Sequence, residues 1–393
     1  MDIENYLKNI RTIYLEKKYS KAANKMGFST DRKIVVFESD DWGSIRMKSP
    51  EVYQKLRELD PKTDHHPYFR YDGLASSADL EALYSVLTKF RDKNGKHPVI
   101  TANCVMANPD FERIASSGFE EYHYERFTES LKKEKGCETS FELWKQGIED
   151  HIFMPQLHCR EHFNVNRWMK ALRDDDPWIK MAFEHHMIST ASCKTSENEN
   201  SYMDSFNYDR KEEQQSLGEI LKDGADIFKD IFGYDSESFI ASCYIWGKEL
   251  EKNMADVNIR YIQGEPIQRI PSESFGTSGM KQVRHYMGEK NDLGQYYLIR
   301  NCNFEPSYNY HKDWVAIAMN GVRIAFEQKK PAIICSHRLN YIGRIDEENR
   351  KRNLISLEKL LTAIMKQWPE VEFMTSPELG RMMLQNTEDR KEL

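Results

Sequence analysis

The chain has 393 residues, which is long enough for one large α/β domain or for two domains of ordinary size. Lys and Arg total 56 against 63 for Asp and Glu, so the net charge of -7 offers no basic excess and we expect no nucleic-acid partner. The cysteines number 7, an odd count, and none form a CxxC pair, which argues against a disulfide framework and against a thiolate zinc site.

The N-terminal region carries acids and bases and lacks the continuous apolar core of a signal peptide. No segment approaches the roughly 20 apolar residues of a membrane span, so cytoplasmic residence is the default expectation. We predict a helical N-terminal extension over residues 1–30 that docks on the outside of a main domain formed by residues 31–393.

The main domain reads as short apolar runs that alternate with helical patterns. Strands are predicted at residues 34–37, 98–103, 154–158, 238–242, 259–263, 296–300, 331–336 and 371–374. Helices are predicted at residues 52–59, 78–93, 165–172, 214–232, 248–256, 314–327, 346–368 and 377–384. The polar stretches 184–215 and 264–294 are predicted to be long surface loops.

This alternation predicts an α/β protein with a single (β/α) barrel, because apolar strands of this kind are covered on both faces. No glycine fingerprint of the GxGxxG or GxxxxGK type follows a strand, which weakens a dinucleotide-binding or P-loop alternative. No internal repeat or compositional break indicates a second folding unit.

Two adjacent carboxylates, Asp40 and Asp41, stand where the first predicted strand ends. Neighbouring aspartates are costly to ionise together unless a cation lies between them, so the pair is consistent with one metal ligand and one proton acceptor. A solvated turn is the alternative interpretation of an isolated Asp-Asp pair.

A second cluster follows the third predicted strand, where His158 and His162 are four positions apart. This spacing places both imidazoles on one side of a helical turn, although a structural histidine pair has the same spacing. Together with Asp41 they form a set of two histidines and one carboxylate, which leaves coordination positions open for water. In a (β/α) barrel these strand ends share one rim with His337, so the residues are expected to form a single site.

The order Ser-Asp-Asp, His-x-x-x-His and a late strand ending in Ser-His resembles the polysaccharide deacetylase family, also called the NodB-homology or carbohydrate esterase family 4. The chain is similar to a divergent branch of polysaccharide (de)acetylases. The resemblance spans residues 33–383 and includes the stretches FESDDWGS, LHCREHFN, FIASCYIW, RNCNFEPS and SHRLNYIGRIDEENR. It implies the distorted seven-to-eight-stranded barrel of that family, with long loop insertions.

The resemblance also implies roles for individual residues. It implies that Asp40 is the general base, that His337 is the general acid, and that Asp41, His158 and His162 are the metal ligands. The arginine that orients the base in the family is expected within residues 240–244, where this chain has none. Four arginines from other strand ends are candidates to supply its charge: Arg46, Arg160, Arg300 and Arg338.

The chemistry expected of these residues is hydrolysis of an acyl group. A divalent ion lowers the pKa of bound water towards about 7, and a neighbouring carboxylate takes the proton. The metal and a backbone N–H, for which Tyr244 is a candidate, would stabilise the oxyanion. Trp42, Tyr244 and Asn301 are candidate sugar-binding residues, with packing or loop hydrogen bonding as the alternative interpretation.

We therefore expect a metal-dependent hydrolase that removes N- or O-linked acetyl groups from a polysaccharide or oligosaccharide. One divalent ion is expected, with zinc as first choice and cobalt, nickel, manganese or iron as alternatives. A glycoside hydrolase that pairs Asp40 or Glu38 with Glu305 is a second hypothesis. A third is a non-catalytic carbohydrate-binding protein on a deacetylase scaffold. The glycan, the type of acetyl linkage and the oligomeric state stay open.

Overall fold

The structure is a computed structural model that describes residues 14–193, 202–271 and 280–389. Its helices are α1 (residues 14–23), α2 (Pro50–Leu59), α3 (Pro67–Tyr71), α4 (Ser77–Leu87), α5 (Phe111–Ser116), α6 (Phe127–Lys133), α7 (Ser140–Glu149), α8 (Val165–Arg173), α9 (Pro177–Glu184), α10 (Glu213–Phe232), α11 (Lys248–Asp256), α12 (Trp314–Glu327), α13 (Glu347–Gln367) and α14 (Ser376–Asp389). Among the described helices we find no stretch with the length and hydropathy needed to traverse a bilayer.

The strands are β1 (Ile34–Trp42), β2 (Ile100–Val105), β3 (Ala107–Pro109), β4 (Tyr124–Arg126), β5 (Phe153–Cys159), β6 (Ser238–Ile240), β7 (Tyr261–Gly264), β8 (Ile267–Ile270), β9 (Lys281–Arg284), β10 (Tyr296–Ile299), β11 (Cys302–Asn303), β12 (Ala332–His337) and β13 (Glu372–Phe373). Eight of them form a parallel sheet in the order β10-β7-β6-β5-β2-β1-β12-β11, and β13 also pairs with β1. The predicted (β/α) barrel class is confirmed.

The two ends of this strand order meet in one stretch of chain, residues 296–303, which we call the seam segment. Its first half, β10, pairs with β7, and its second half, β11, pairs with β12. Between them, the N–H of Arg300 donates to the carbonyl of Gly264 and the N–H of Asn301 donates to that of Ile333. The sheet therefore curves into a barrel whose edges are joined by a single segment.

The structure contains the predicted strands and helices where the sequence signals for them are strong. Ile34, Val35 and Val36 have no solvent-exposed surface, as expected for a strand covered on both faces. Helix α2 begins after Ser49, whose side chain accepts from the N–H of Val52, and α10 ends at Gly233 with φ 79°.

Three regions differ from the predictions. The predicted surface loop 184–215 begins where α9 ends; residues 194–201 lie outside the described residues, and residues 202–208 are buried against the barrel. The predicted loop 264–294 contains the antiparallel pair β8 and β9. Residues 107–126, where no strand is predicted, contain a second antiparallel pair, β3 and β4. In each case aromatic or aliphatic residues are interspersed among polar ones, and tertiary packing decides the structure.

Helix α1, from the predicted N-terminal extension, docks on the seam segment. The Tyr19 hydroxyl donates to the carbonyl of Arg300 at 3.0 Å, and the Ser20 hydroxyl donates to the carbonyl of Asn301 at 2.8 Å. The Asn301 side chain donates in turn to Asn24 Oδ1 at 2.7 Å. The described part of the extension is thus attached to the segment that joins the two edges of the sheet, and residues 1–13 of the predicted extension lie outside the described residues.

Candidate functional site

A cavity of about 500 Å³ opens at the carboxyl ends of the strands, where barrel proteins place their chemistry. Its lining includes Asp40 and Asp41 from β1, His158 from β5 and His337 from β12. The structure therefore brings the two sequence clusters and the late histidine to one place. His162, Tyr244 and Glu305 also line the cavity.

Local backbone geometry explains how two consecutive carboxylates share this cavity. Successive side chains of a regular strand point to opposite faces. The ladder between β1 and β2 shifts register between Ser39 and Trp42, and Asp41 adopts a left-handed φ of 73°. This irregularity breaks the alternation, so that Asp40 and Asp41 both face the cavity.

Three side chains converge as candidate metal ligands. Asp41 Oδ1 lies 2.9 Å from His162 Nε2 and 3.6 Å from His158 Nε2, and the three candidate donor atoms are within 4.8 Å of one another. His158 Nδ1 donates to the carbonyl of Ile240 at 2.8 Å, which leaves its Nε2 lone pair for the shared space.

The state of these side chains fits a cation. Asp41 Oδ1 is buried and, although His162 Nε2 lies 2.9 Å away, no N–H is directed at it in hydrogen-bond geometry, which is costly for a carboxylate oxygen. Burial lowers the pKa of His162 to about 4, so the ring is neutral at pH 7, as a ligand must be. Burial opposes ionisation of Asp41, but its close contacts with His162 and His158 and the charge of Arg46 outweigh burial and hold the pKa of Asp41 well below its usual range. Two imidazoles and one carboxylate with open positions form a donor set suited to zinc.

Asp40 is bound by Arg300 through both carboxylate oxygens. Arg300 Nη1 donates to Asp40 Oδ2 at 2.7 Å and Nη2 donates to Oδ1 at 2.6 Å, while Asn103 donates to Oδ1 at 2.7 Å. Burial alone would raise the pKa of Asp40, but the charge and hydrogen bonds of Arg300 hold it well below its usual range. The carboxylate is therefore ionised throughout the physiological pH range.

Of the four candidate arginines, Arg300 contacts Asp40. The other three have different partners. Arg160 pairs with Glu161 and Asp223. Arg338 pairs with Asp72 through two nitrogens. Arg46 lies 3.5 Å from Asp41 Oδ2, on the metal side of the cavity.

His337 faces Asp40 from the neighbouring strand and is held by Glu305. Its Nδ1 lies 2.6 Å from Glu305 Oε1, and its Nε2 lies 3.7 Å from Asp40 Oδ2. Burial alone would lower the pKa of His337, but the charge and hydrogen bond of Glu305 outweigh it and raise the pKa to about 9. The ring is therefore an imidazolium at pH 7, able to donate a proton.

Glu305, Cys335 and His337 form a second group whose donor atoms lie within 4.8 Å of one another. Burial raises the pKa of the Cys335 thiol well above its ordinary value, and Glu305 raises the pKa of His337 to about 9, so neither group is in the deprotonated form that a metal ion needs. We therefore place the candidate metal centre at Asp41, His158 and His162.

Two of the three predicted sugar-binding residues do not line the cavity. Trp42 is 1% exposed, packs on Trp144 and Phe153 and donates to Ser39 Oγ. Asn301 is also 1% exposed, and its side-chain amide forms hydrogen bonds across the seam segment. Trp42 is thus part of the aromatic core and Asn301 part of the seam segment, and both belong to the packing of the barrel.

The third predicted residue, Tyr244, does line the cavity. Its backbone N–H, however, donates to the carbonyl of Ala241 at 3.1 Å within a short 3₁₀ turn, Ser242–Tyr244. The predicted use of this N–H as an oxyanion donor therefore conflicts with the structure.

Sequence reasoning missed an aromatic wall beside His337. The hydroxyls of Tyr68 and Tyr308 are 2.8 Å apart, and their ring centroids lie 5.7 and 6.2 Å from that of His337. The Arg46 guanidinium lies 5.2 Å from the Tyr68 ring. Tyr308 follows Glu305 by three positions, which is the one signal that the sequence offered for it.

Comparison with protein-family models gives no match for this chain, and comparison with curated protein sequences gives none either. Solved structures with a similar layout include polysaccharide deacetylases. A protein from Mycobacterium smegmatis that is described as a polysaccharide deacetylase is 8% identical in sequence, with a TM-score of 0.41. The match covers 92% of this chain and 94% of the chain of that protein. A protein described as a glycoside hydrolase/deacetylase from Parabacteroides distasonis is 10% identical with a TM-score of 0.45, over 90% of this chain and 72% of its own.

The 4-alpha-glucanotransferase from Thermococcus litoralis is 9% identical with a TM-score of 0.41, over 88% of this chain. This chain spans 40% of the length of that protein. Likeness at this level concerns the arrangement of strands and helices, and the function proposed below rests on the site geometry and on the sequence motifs.

Proposed function

We propose that this protein is a metal-dependent hydrolase that removes acetyl groups from a carbohydrate. The observation that carries the proposal is the pairing of opposite protonation states in one cavity. Asp40 is held ionised by Arg300, and His337, 3.7 Å away, is held protonated by Glu305. Titratable groups whose pKa values are driven apart in this way are candidates for a base and an acid.

The candidate metal centre lies next to this pair, because Asp41 adjoins Asp40 in the chain. A divalent ion held by Asp41, His158 and His162 would supply Lewis acidity and lower the pKa of a bound water. Zinc is our first choice, since the donor set is two imidazoles and one carboxylate.

Each remaining role falls to a residue of the chain. Asp40 accepts the proton of the water that attacks the acetyl carbonyl, and Arg300 keeps its carboxylate in a fixed orientation. His337 gives its proton to the departing amine or alkoxide, so that acetate and a free sugar group are the products. Because Arg300 makes Asp40 a weak base, transfer of a proton from water to Asp40 would need the acidity that an ion held by Asp41, His158 and His162 would supply.

A carbohydrate substrate is supported by the motif resemblance and by the aromatic wall. Tyr68, Tyr308 and Tyr244 offer ring faces and hydroxyl groups in one cavity, a combination that suits sugar rings. Both N-acetyl and O-acetyl groups fit this chemistry, since His337 can protonate either leaving group.

No observation favours the glycoside hydrolase hypothesis. Glu38 does not line the cavity, because its side chain is fully buried between Arg300 and Ser376. Arg300 takes both oxygens of Asp40, and Glu305 is committed to His337 and Asn340. Neither carboxylate of the Asp40 and Glu305 pair is thereby free to serve as a protonated acid.

The experiment is acetate release from N-acetylglucosamine oligomers and from an O-acetylated oligosaccharide. We expect release by the zinc-loaded protein, none after chelation, and recovery when zinc is restored. Asp40→Asn and His158→Ala should lose release by about 10²-fold or more. Undiminished release in both variants would overturn the mechanism. Glycan binding without release, unchanged in Asp40→Asn, would instead indicate a carbohydrate-binding protein.

A further inference from the structure

The turn that follows β6 has an unusual backbone. Cys243 and Tyr244 are consecutive non-glycine residues with φ 57° each, in the left-handed region that side chains disfavour. Such strain persists only when the surroundings enforce it, and it is concentrated at functional sites. Here it accompanies a turn in which the Tyr244 N–H is used by the carbonyl of Ala241 and the Tyr244 side chain lines the cavity.

The hydroxyl of Tyr244 is tied to the catalytic carboxylate through a single guanidinium. Arg300 Nη1 donates to the Tyr244 hydroxyl oxygen at 3.1 Å, and the same nitrogen donates to Asp40 Oδ2 at 2.7 Å. The hydroxyl oxygen is thus an acceptor in this contact, and its hydrogen is available for another partner. Within the described residues, the acceptor in range is Cys335 Sγ at 4.0 Å, a weak and distant one.

The charges around Tyr244 make it a strong donor that does not ionise. Burial raises the pKa of its hydroxyl well above the ordinary value, so the proton stays in place. The positive charge of Arg300 on the hydroxyl oxygen polarises the O–H bond and strengthens any hydrogen bond that the hydroxyl donates. A neutral, polarised and fixed donor is the kind of group that stabilises developing negative charge.

On the basis of the proposed hydrolase function, we propose that the Tyr244 hydroxyl donates a hydrogen bond to the acetyl carbonyl oxygen as that oxygen becomes an oxyanion. Water attacks the carbonyl carbon and gives a proton to Asp40, the π electrons move to the oxygen, and the hydroxyl of Tyr244 stabilises the charge. When the electrons return, the bond to the leaving group breaks and His337 supplies its proton. The side chain of Tyr244 thereby performs the task for which its backbone N–H is not available.

The test is Tyr244→Phe, which removes only the hydroxyl, compared with Tyr84→Phe. Tyr84 is a core residue whose hydroxyl donates to the carbonyl of Leu143 and which does not line the cavity. Removal of one oxyanion donor should lower kcat by about 10²- to 10³-fold. KM, zinc content and melting temperature should stay near those of the native protein. Tyr84→Phe should keep the native kcat.

Affinity for a tetrahedral phosphonate analogue of the acetyl group separates an oxyanion donor from a residue that only holds Arg300. If the Tyr244 hydroxyl binds the oxyanion, Tyr244→Phe should weaken binding of the analogue by about the same factor as it lowers kcat. If Tyr244 acted only by holding Arg300, kcat would fall without a matching loss of affinity for the analogue. An active native protein whose Tyr244→Phe variant keeps kcat within threefold overturns this inference alone. A zinc-loaded native protein that releases no acetate overturns the proposed function and this inference with it.

Discussion

Arg300 binds Asp40 through both carboxylate oxygens, although the two residues are 260 positions apart in the chain. The family resemblance places the base-orienting arginine within residues 240–244, next to β6. Here the guanidinium comes from the end of β10 in the seam segment. Strand ends of a barrel share one rim, so a charge supplied by one strand can be supplied by another.

Loss of Arg300 should destabilise the fold strongly. Arg300→Gln leaves Glu38 and Asp40 buried without their cation, which typically costs about 3–5 kcal/mol. Denaturant unfolding measures the loss. Arg323→Gln is the matched control, because Arg323 makes an exposed pair with Glu327, worth about 1 kcal/mol or less. Equal stability of the two variants would contradict the buried network.

The activity should fall in alkaline solution as His337 loses its proton. Glu305 raises the pKa of His337 to about 9, so kcat/KM should decline above that pH. Glu305→Gln should move the decline towards the ordinary histidine value near 6.5. The raised pKa also implies stability that is fully present below about 6.5 and lost as the pH rises through about 9.

Rate profiles and an NMR titration of the His337 ring check this prediction independently. An unshifted alkaline limb in Glu305→Gln, with an unshifted ring titration, would contradict the role of Glu305.

Metal content should depend on the three candidate ligands. We expect about one zinc ion per chain in the native protein and a large loss in Asp41→Asn and His162→Ala. His65→Ala, which changes an exposed histidine outside the cavity, is the control. Zinc should also raise the melting temperature, since a ligand at 100 times its Kd adds about 2.7 kcal/mol to the stability of the folded state. Elemental analysis and calorimetry measure both effects.

Asn301 should matter for stability and not for substrate binding. Asn301→Ala removes side-chain hydrogen bonds to Asn24, to the carbonyl of Pro331 and to the N–H of Ile333. Leaving such buried groups unpaired should cost about 1–3 kcal/mol. KM for the acetylated oligosaccharide should stay at the native value, and a raised KM with native stability would restore the sugar-binding interpretation.

The sequence was sufficient to predict the barrel class and the convergence of the strand-end residues. Apolar runs such as residues 34–37 can be recognised as strands because a strand that is buried on both faces contains few polar residues. Asp40, Asp41, His158 and His337 were found because each adjoins such a run. Their assembly at one rim follows from the barrel itself.

The sequence could not predict which side chains contact one another inside the site. Four arginines stood at plausible positions, and only side-chain geometry at the seam segment selects Arg300. Tyr68 comes from α3, far from every motif, and it reaches His337 through tertiary packing. Trp42 and Tyr244 adjoin the motifs equally, but the pleat buries the first and a left-handed turn presents the second to the cavity.

The seam segment joins the two edges of the sheet and also carries the arginine that keeps Asp40 charged. Helix α1 is fastened to the same few residues by Tyr19 and Ser20. Displacement of this segment would therefore open the edge of the sheet and leave the Asp40 carboxylate unneutralised and poorly oriented at once. The closure of the barrel and the charge state of Asp40 thus depend on the same few residues.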